Sequence, residues 1–176
     1  MLIVLSEDAL VREDLDYLAN CPNYTRLVKN AARIDKLRTI YPTVTYPVHT
    51  SISTGCYADR HGITTNGLFL PGVLDLPWHW FASDVKVPTI FDAAKAAGLT
   101  TAAVFWPVTG NHPAIDYLVD EYWSQYEGDD LRDVFQRSGT NRTRPSLSAS
   151  MAGRASGFIF TNHCGDRRGS TTVWQR

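Results

Sequence analysis

The sequence predicts an α/β domain with a largely parallel central sheet, and three features carry that reading. The chain opens on an uninterrupted apolar run of strand length, residues 1–5, which ends in Ser6-Glu7-Asp8. Residues 90–97 have helical spacing, stop at Gly98, and lead at once into a second apolar run at 101–105. Further helix-length and strand-length stretches alternate between them, the order that gives parallel pairing through crossover connections.

An apolar run without polar alternation is the pattern of a strand buried on both faces. Residues 1–5 are therefore expected as the first strand, presenting Ser6, Glu7 and Asp8 at its C-terminal end. Residues 12–20 are polar and suit a short helix, which Cys21-Pro22 stops. Pro22-Asn23 opens a second helix over 24–32, with Leu27, Val28 and Ala31 on one side. Residues 33–40 alternate Ile34, Leu37 and Ile40 imperfectly with charged residues, which suits a less buried strand. The stretch 41–47 is too rich in proline for a central strand. Residues 47–54 read as a helix, since proline fits a first turn and Gly55 is a natural stop. Residues 66–85 form an excursion with turns at Pro71-Gly72 and Leu76-Pro77. Residues 116–126 are a mixed segment. From about Ser138 the chain is rich in Ser, Thr, Gly and Arg, with little periodicity beyond Phe158-Ile159-Phe160. The expected organisation is an α/β domain at 1–137 and an irregular tail at 138–176.

Composition narrows the function. Of 176 residues, 44% are hydrophobic and 20% charged, the balance of a globular domain. Seventeen Lys+Arg against eighteen Asp+Glu give a net charge of -1, so no global field points to a nucleic acid polymer or an anionic membrane. The apolar opening is far too short for a signal sequence or a membrane span. Cys21, Cys56 and Cys164 form no spaced disulfide framework. These features together lead to the expectation of a cytoplasmic protein. A phosphorylated substrate would then need its positive charge from a local source, a metal or a helix terminus.

Ligands of open α/β sheets gather at the carboxyl ends of strands. Two groups of residues fall there, Glu7-Asp8 and the stretch 43–66. The segment Tyr41-Pro42-Thr43-Val44-Thr45-Tyr46-Pro47-Val48-His49-Thr50-Ser51-Ile52-Ser53-Thr54-Gly55 resembles the nucleophile segment of the nucleotide pyrophosphatase/phosphodiesterases of the alkaline phosphatase superfamily. Tyr57-Ala58-Asp59-Arg60-His61-Gly62-Ile63 and Asn66 match its continuation, with Asn66 following Thr45 at the family's spacing. Val4 to Leu10 resembles the first strand with its metal-binding aspartate. Thr89-Ile90-Phe91-Asp92 to Gly98 and Val104-Phe105-Trp106-Pro107 resemble a later helix and strand end. The likeness runs from residue 2 to about 126.

The resemblance implies the N-terminal part of an alkaline phosphatase-like fold and a hydrolase of phosphodiester or pyrophosphate bonds acting on small, nucleotide-like substrates. It implies two divalent metals, usually zinc, with manganese as the alternative. Thr45 would be the nucleophile and a metal ligand, Asp8 a ligand of the same metal, and Asn66 the donor to a phosphoryl oxygen. Free threonine ionises far above neutral pH, so a cation is needed to make its oxygen an alkoxide. A helix starting beside Thr45 would add N–H groups that favour an anion. Ala9 stands where the family has glycine, and Glu7 is the alternative ligand one position earlier. The ligands of the second metal are not found: Thr161-Asn162-His163-Cys164-Gly165 has Asn where an aspartate is required. The competing readings are a non-catalytic fragment or phosphate-binding domain, and phosphonate, phosphomonoester or sulfate ester hydrolysis on the same fold. His49, His61 and His112 are expected in structural roles, and Trp78, Trp80 and Phe81 as a core edge or a substrate wall.

Overall fold

The computed structural model describes residues 1–34, 36–74 and 76–121. These residues divide between a unit at Met1–Arg38 and a second unit beginning at Thr39. The expected tail at 138–176, and with it the segment 161–165, lies outside the described residues.

The first unit contains two helices, α1 (Arg12–Leu18) and α2 (Pro22–Val28). Asp14 accepts the Val11 N–H at 3.0 Å and so starts α1, and Pro22 sits at the start of α2 where its missing donor costs nothing. The two strands expected here do not form. Residues 1–8 have no strand, and Leu2, Ile3, Val4 and Leu5 are 76, 75, 55 and 73% exposed. Residues 33–40 are likewise irregular among those described, with Ile34 and Leu37 exposed. The physical reason is that a strand is made by its neighbours. Apolar pattern alone supplies no partner for the backbone N–H and C=O groups, and no described strand of this unit offers one.

In the second unit the order is α3 (Thr45–Thr54), α4 (Ala58–His61), a 3₁₀ turn (Ala82–Asp84), α5 (Ile90–Ala96), β1 (Ala102–Val104) and β2 (Tyr117–Val119). Gly55 and Gly62 close α3 and α4 in the left-handed conformation, with φ of 66° and 85°. Helix α5 begins with a reciprocal cap. Thr89 Oγ1 accepts the Asp92 N–H, and Asp92 Oδ2 accepts the Thr89 N–H at 2.7 Å.

Strands β1 and β2 pair in parallel, with Ala102 opposite Tyr117, Ala103 opposite Leu118 and Val104 opposite Val119. The parallel α/β class read from the sequence is therefore present, at the 101–105 run and within the mixed segment 116–126. The start of the pair is pinned by Asp116, whose Oδ2 accepts the Thr101 N–H at 3.1 Å. One face of the pair is buried: Ala103 and Leu118 join Ile115, with Phe91 and Trp106 packed against them.

A separate apolar cluster joins Tyr46, Ile63, Trp80 and Val108, with Val85 alongside. It belongs to the helix that carries Thr45. Gly110 lets two segments meet closely beside it. Its N–H donates to Trp80 O at 3.0 Å, and its carbonyl accepts the Ala82 N–H at 2.9 Å. A Cβ at position 110 would stand 2.8 Å from Trp80 O, closer than real side chains come.

Two buried histidines make this unit acid-sensitive. His61 Nδ1 accepts the Ile63 N–H at 3.1 Å, so its proton sits on Nε2 and is donated to Ser51 Oγ at 2.9 Å. His112 Nδ1 accepts the Ala114 N–H at 3.1 Å, so its proton sits on Nε2 and faces Thr89 Oγ1. Burial lowers the pKa of both rings from 6.5, against a smaller opposing pull from Asp59 and Asp92 respectively. As pH falls below about 6.5 the unfolded chain takes up protons that the folded chain refuses, so stability declines until the folded pKa values are passed. Thermal unfolding at pH 5.5 is expected to occur a few degrees, on the order of 5 °C, below that at pH 7.5. An equal or higher midpoint at pH 5.5 would contradict the neutral state of these rings.

Candidate active site

Thr45 is the first residue of α3, two positions earlier than the helix expected from the proline at 47. The residue before it, Val44, is extended (φ -116°, ψ 157°) and has no polar side chain to cap the helix. The cap comes from elsewhere. Asn66 Oδ1 accepts the Tyr46 N–H at 2.9 Å, across twenty residues of sequence. A backbone N–H can bond only to the oxygen end of a side-chain amide, so the Asn66 Nδ2 hydrogens are turned away from that contact and stay donors.

This changes the expected anion site. Of the first-turn donors, Tyr46 N–H is engaged by Asn66, and Pro47 has none. The helix terminus therefore offers less backbone N–H capacity than the sequence reading assumed. Asn66 compensates, because it converts a captured N–H into two side-chain donors at the same helix end. Both Thr45 and Asn66 are half-buried.

The elements around the pair hold it from two sides. Tyr46 is fully buried and meets Trp78 and Trp80 edge-on, with ring centroids 5.3 and 6.2 Å away. Trp78 and Trp80 stack at 5.5 Å with an interplanar angle of 10°. Trp80 is thus a core residue, while Trp78 stays 37% exposed on the outer side. His49 lies one turn into α3 and donates Nδ1–H to the Thr45 carbonyl at 2.8 Å, its ring edge-on to Trp106. His49, His61 and His112 each make hydrogen bonds within this unit.

Asp8 lies in the first unit, exposed, in a turn. Ala9 after it has φ of 57°, the left-handed backbone that glycine favours. Among the described residues no group of three or more His, Cys, Asp or Glu side chains is gathered for a metal ion.

Comparison with known proteins decides the family. The model of the family named type I phosphodiesterase/nucleotide pyrophosphatase matches residues 2–167. The chain belongs to this family. Its parallel β1–β2 pair agrees with the α/β class expected from the sequence. Human ectonucleotide pyrophosphatase/phosphodiesterase family member 1 is 30% identical over 112 residues, 61% of this chain and 12% of that protein. Venom phosphodiesterase 2 of Crotalus adamanteus is 30% identical over 105 residues, 53% of this chain and 13% of its own length. The venom phosphodiesterase of Naja atra is 30% identical over 129 residues, 65% of this chain and 15% of its own. The match thus spans about an eighth of these relatives. Among solved structures, murine ectonucleotide pyrophosphatase/phosphodiesterase 5 aligns with a TM-score of 0.46 and 24% identity, over 68% of this chain and 34% of that one. No helix among the described residues of this phosphodiesterase-family chain is long and apolar enough to cross a membrane.

Residues outside the sequence reading also shape the site. His79 is buried, donates its backbone N–H to the Asn66 carbonyl at 2.9 Å, and bonds Asp84 through its ring. Its signal in the sequence was faint: a titratable residue between two tryptophans, followed five positions later by an acid.

Proposed function

We propose that this chain supplies the nucleophile side of a metal-dependent hydrolase that cleaves phosphodiester or pyrophosphate bonds in small, nucleotide-like substrates. Thr45 is the nucleophile, Asn66 the donor to the phosphoryl oxygen, and Asp8 the metal ligand. One observation carries this reading: the Asn66 amide is oriented by the first turn of the helix that Thr45 begins. A donor fixed before the reaction costs no reorganisation when charge develops.

In the proposed sequence Thr45 Oγ1 gives its proton to solvent and forms a bond to phosphorus as the bond to the leaving oxygen breaks. The leaving group takes a proton, and water then cleaves the threonine–phosphorus ester. The positive start of α3 and the Asn66 donors stabilise the oxygens on which charge grows. The backbone after Asp8 supports Asp8 over Glu7 as the family's aspartate, since the left-handed Ala9 occupies the position of the family's glycine.

Divalent metals, when bound, would supply the charge that ionises the Thr45 hydroxyl. Among the described residues no three His, Cys, Asp or Glu side chains are gathered for a metal ion, where zinc takes about four ligands. Turnover therefore calls for ligands beyond the described residues.

The test is release of p-nitrophenol from phosphodiester, phosphomonoester and sulfate ester substrates, with zinc or manganese added. It is run on this chain and on a longer chain carrying the same segment within a full family fold. The expected result is diester hydrolysis by the longer chain only, with the other two esters slower. Robust turnover by the shorter chain would overturn the ligand count, and a preference for sulfate ester would overturn the substrate class.

A further inference from the structure

We propose that His79 and Asp84 form a clamp that positions Asn66, so that the direction of its side-chain amide depends on their ring-to-carboxylate bond. The inference rests on the role given to Asn66 above, but its geometry stands independently of activity.

Asn66 is held at two points. Its side chain is fixed by the Tyr46 N–H, and its main-chain carbonyl accepts the His79 N–H at 2.9 Å. Next to it, Leu68 N–H donates to Pro77 O at 2.7 Å, and Gly67 pairs antiparallel with Trp78. Residues 66–68 and 77–79 therefore form a short two-stranded ladder. So short a ladder is marginal by itself and needs an anchor.

The anchor is at its His79 end. The His79 ring is buried, and Asp84 Oδ2 lies 2.8 Å from its Nδ1. A carboxylate only accepts, so Nδ1 carries the proton and donates. Asp84 closes the 3₁₀ turn Ala82–Asp84, and that turn is tied in by the Ala82 N–H to Gly110 O bond at 2.9 Å. The line of contacts runs from Gly110 through the turn to Asp84, His79, Asn66 and the head of α3. Without the ring-to-carboxylate bond, His79 keeps its backbone contact but loses the link that fixes the ladder to the turn.

Amide hydrogen exchange followed by NMR on this chain tests the clamp. Asp84→Ala and His79→Ala are expected to speed exchange of the Tyr46 and His79 amides about tenfold. The Phe105 amide, bonded to Val119 O at the end of the β1–β2 pair, should keep its rate. Asp84→Asn retains an acceptor oxygen and is expected to restore most of the protection, and the Asn66 side-chain amide resonances should shift in the alanine variants alone. Unchanged Tyr46 exchange in both alanine variants would overturn the proposal. So would equal acceleration at Tyr46 and Phe105, which marks general loosening, or a failure of Asp84→Asn to rescue. Because the readout is exchange, the clamp can fail while the assignment of Thr45 stands, and the reverse.

Discussion

Replacing Thr45 by Ala is expected to lower phosphodiester hydrolysis by at least about a thousandfold in whichever form of the protein turns over, because it removes the atom proposed to bond to phosphorus. The fold should tolerate the change. Thr45 is half-buried at the start of α3, and the change leaves Tyr46 N–H bonded to Asn66. A thermal midpoint near that of the parent with activity lost is thus the expected pair of results. Retained activity would mean that the nucleophile is another group, or water acting directly. Thr45→Ser keeps a hydroxyl on the same first turn and is expected to retain a measurable part of the rate. The difference between Ser and Ala at one position isolates the oxygen from the packing of the threonine methyl group.

The second large effect concerns Asn66, where two substitutions separate a structural part from a chemical one. Asn66→Ala deletes the acceptor for Tyr46 N–H, which sits on a fully buried residue, and is expected to destabilise by about 1–3 kcal/mol. Asn66→Asp keeps an oxygen for that N–H, and a carboxylate at a helix N-terminus is welcome, so the fold should be retained. It removes the two amide donors, however, and puts a negative charge beside the phosphoryl oxygens. Hydrolysis should fall by about 100- to 1000-fold or more in the Asp variant despite its intact fold. If Asn66→Asp were as active as the parent, Asn66 would be only a helix cap.

Much of this was legible in the sequence, and the limits have physical causes. Helices α1, α2, α3 and α5 were found within a few residues because their signals are local: Pro22 at a start, Gly55 and Gly98 as stops. Strand β1 was readable from its apolar run, whereas β2 lies in the segment 116–126 that the sequence left as mixed. The runs at 1–5 and 33–40 have strand-like composition yet no strand, because pairing depends on neighbours that a pattern cannot supply.

Within the site, Thr45 and Asn66 were picked out by family spacing. That spacing could not show that their link is Asn66 Oδ1 to Tyr46 N–H, nor that this bond removes a donor from the helix end. The contacts of His79 with Asp84, and of His112 with Thr89 across twenty-three residues, depend on how the excursion folds back. Local composition is silent about such returns. The aromatic cluster was read either way beforehand, and the structure divides it: Trp80 is core, and Trp78 lies partly outside.

The central claim is that the oxygen of Thr45 bonds to phosphorus while Asn66 donates to the oxygens around it. A crystal structure with orthovanadate and zinc, in the longer chain that completes the family fold, tests it most directly, since vanadate takes up the geometry of the transferring phosphoryl group. The account predicts vanadium bonded to Thr45 Oγ1, with Asn66 Nδ2 within hydrogen-bonding distance of a vanadate oxygen. Vanadate bonded to a different side chain, or bound with Asn66 turned away from it, would contradict the account.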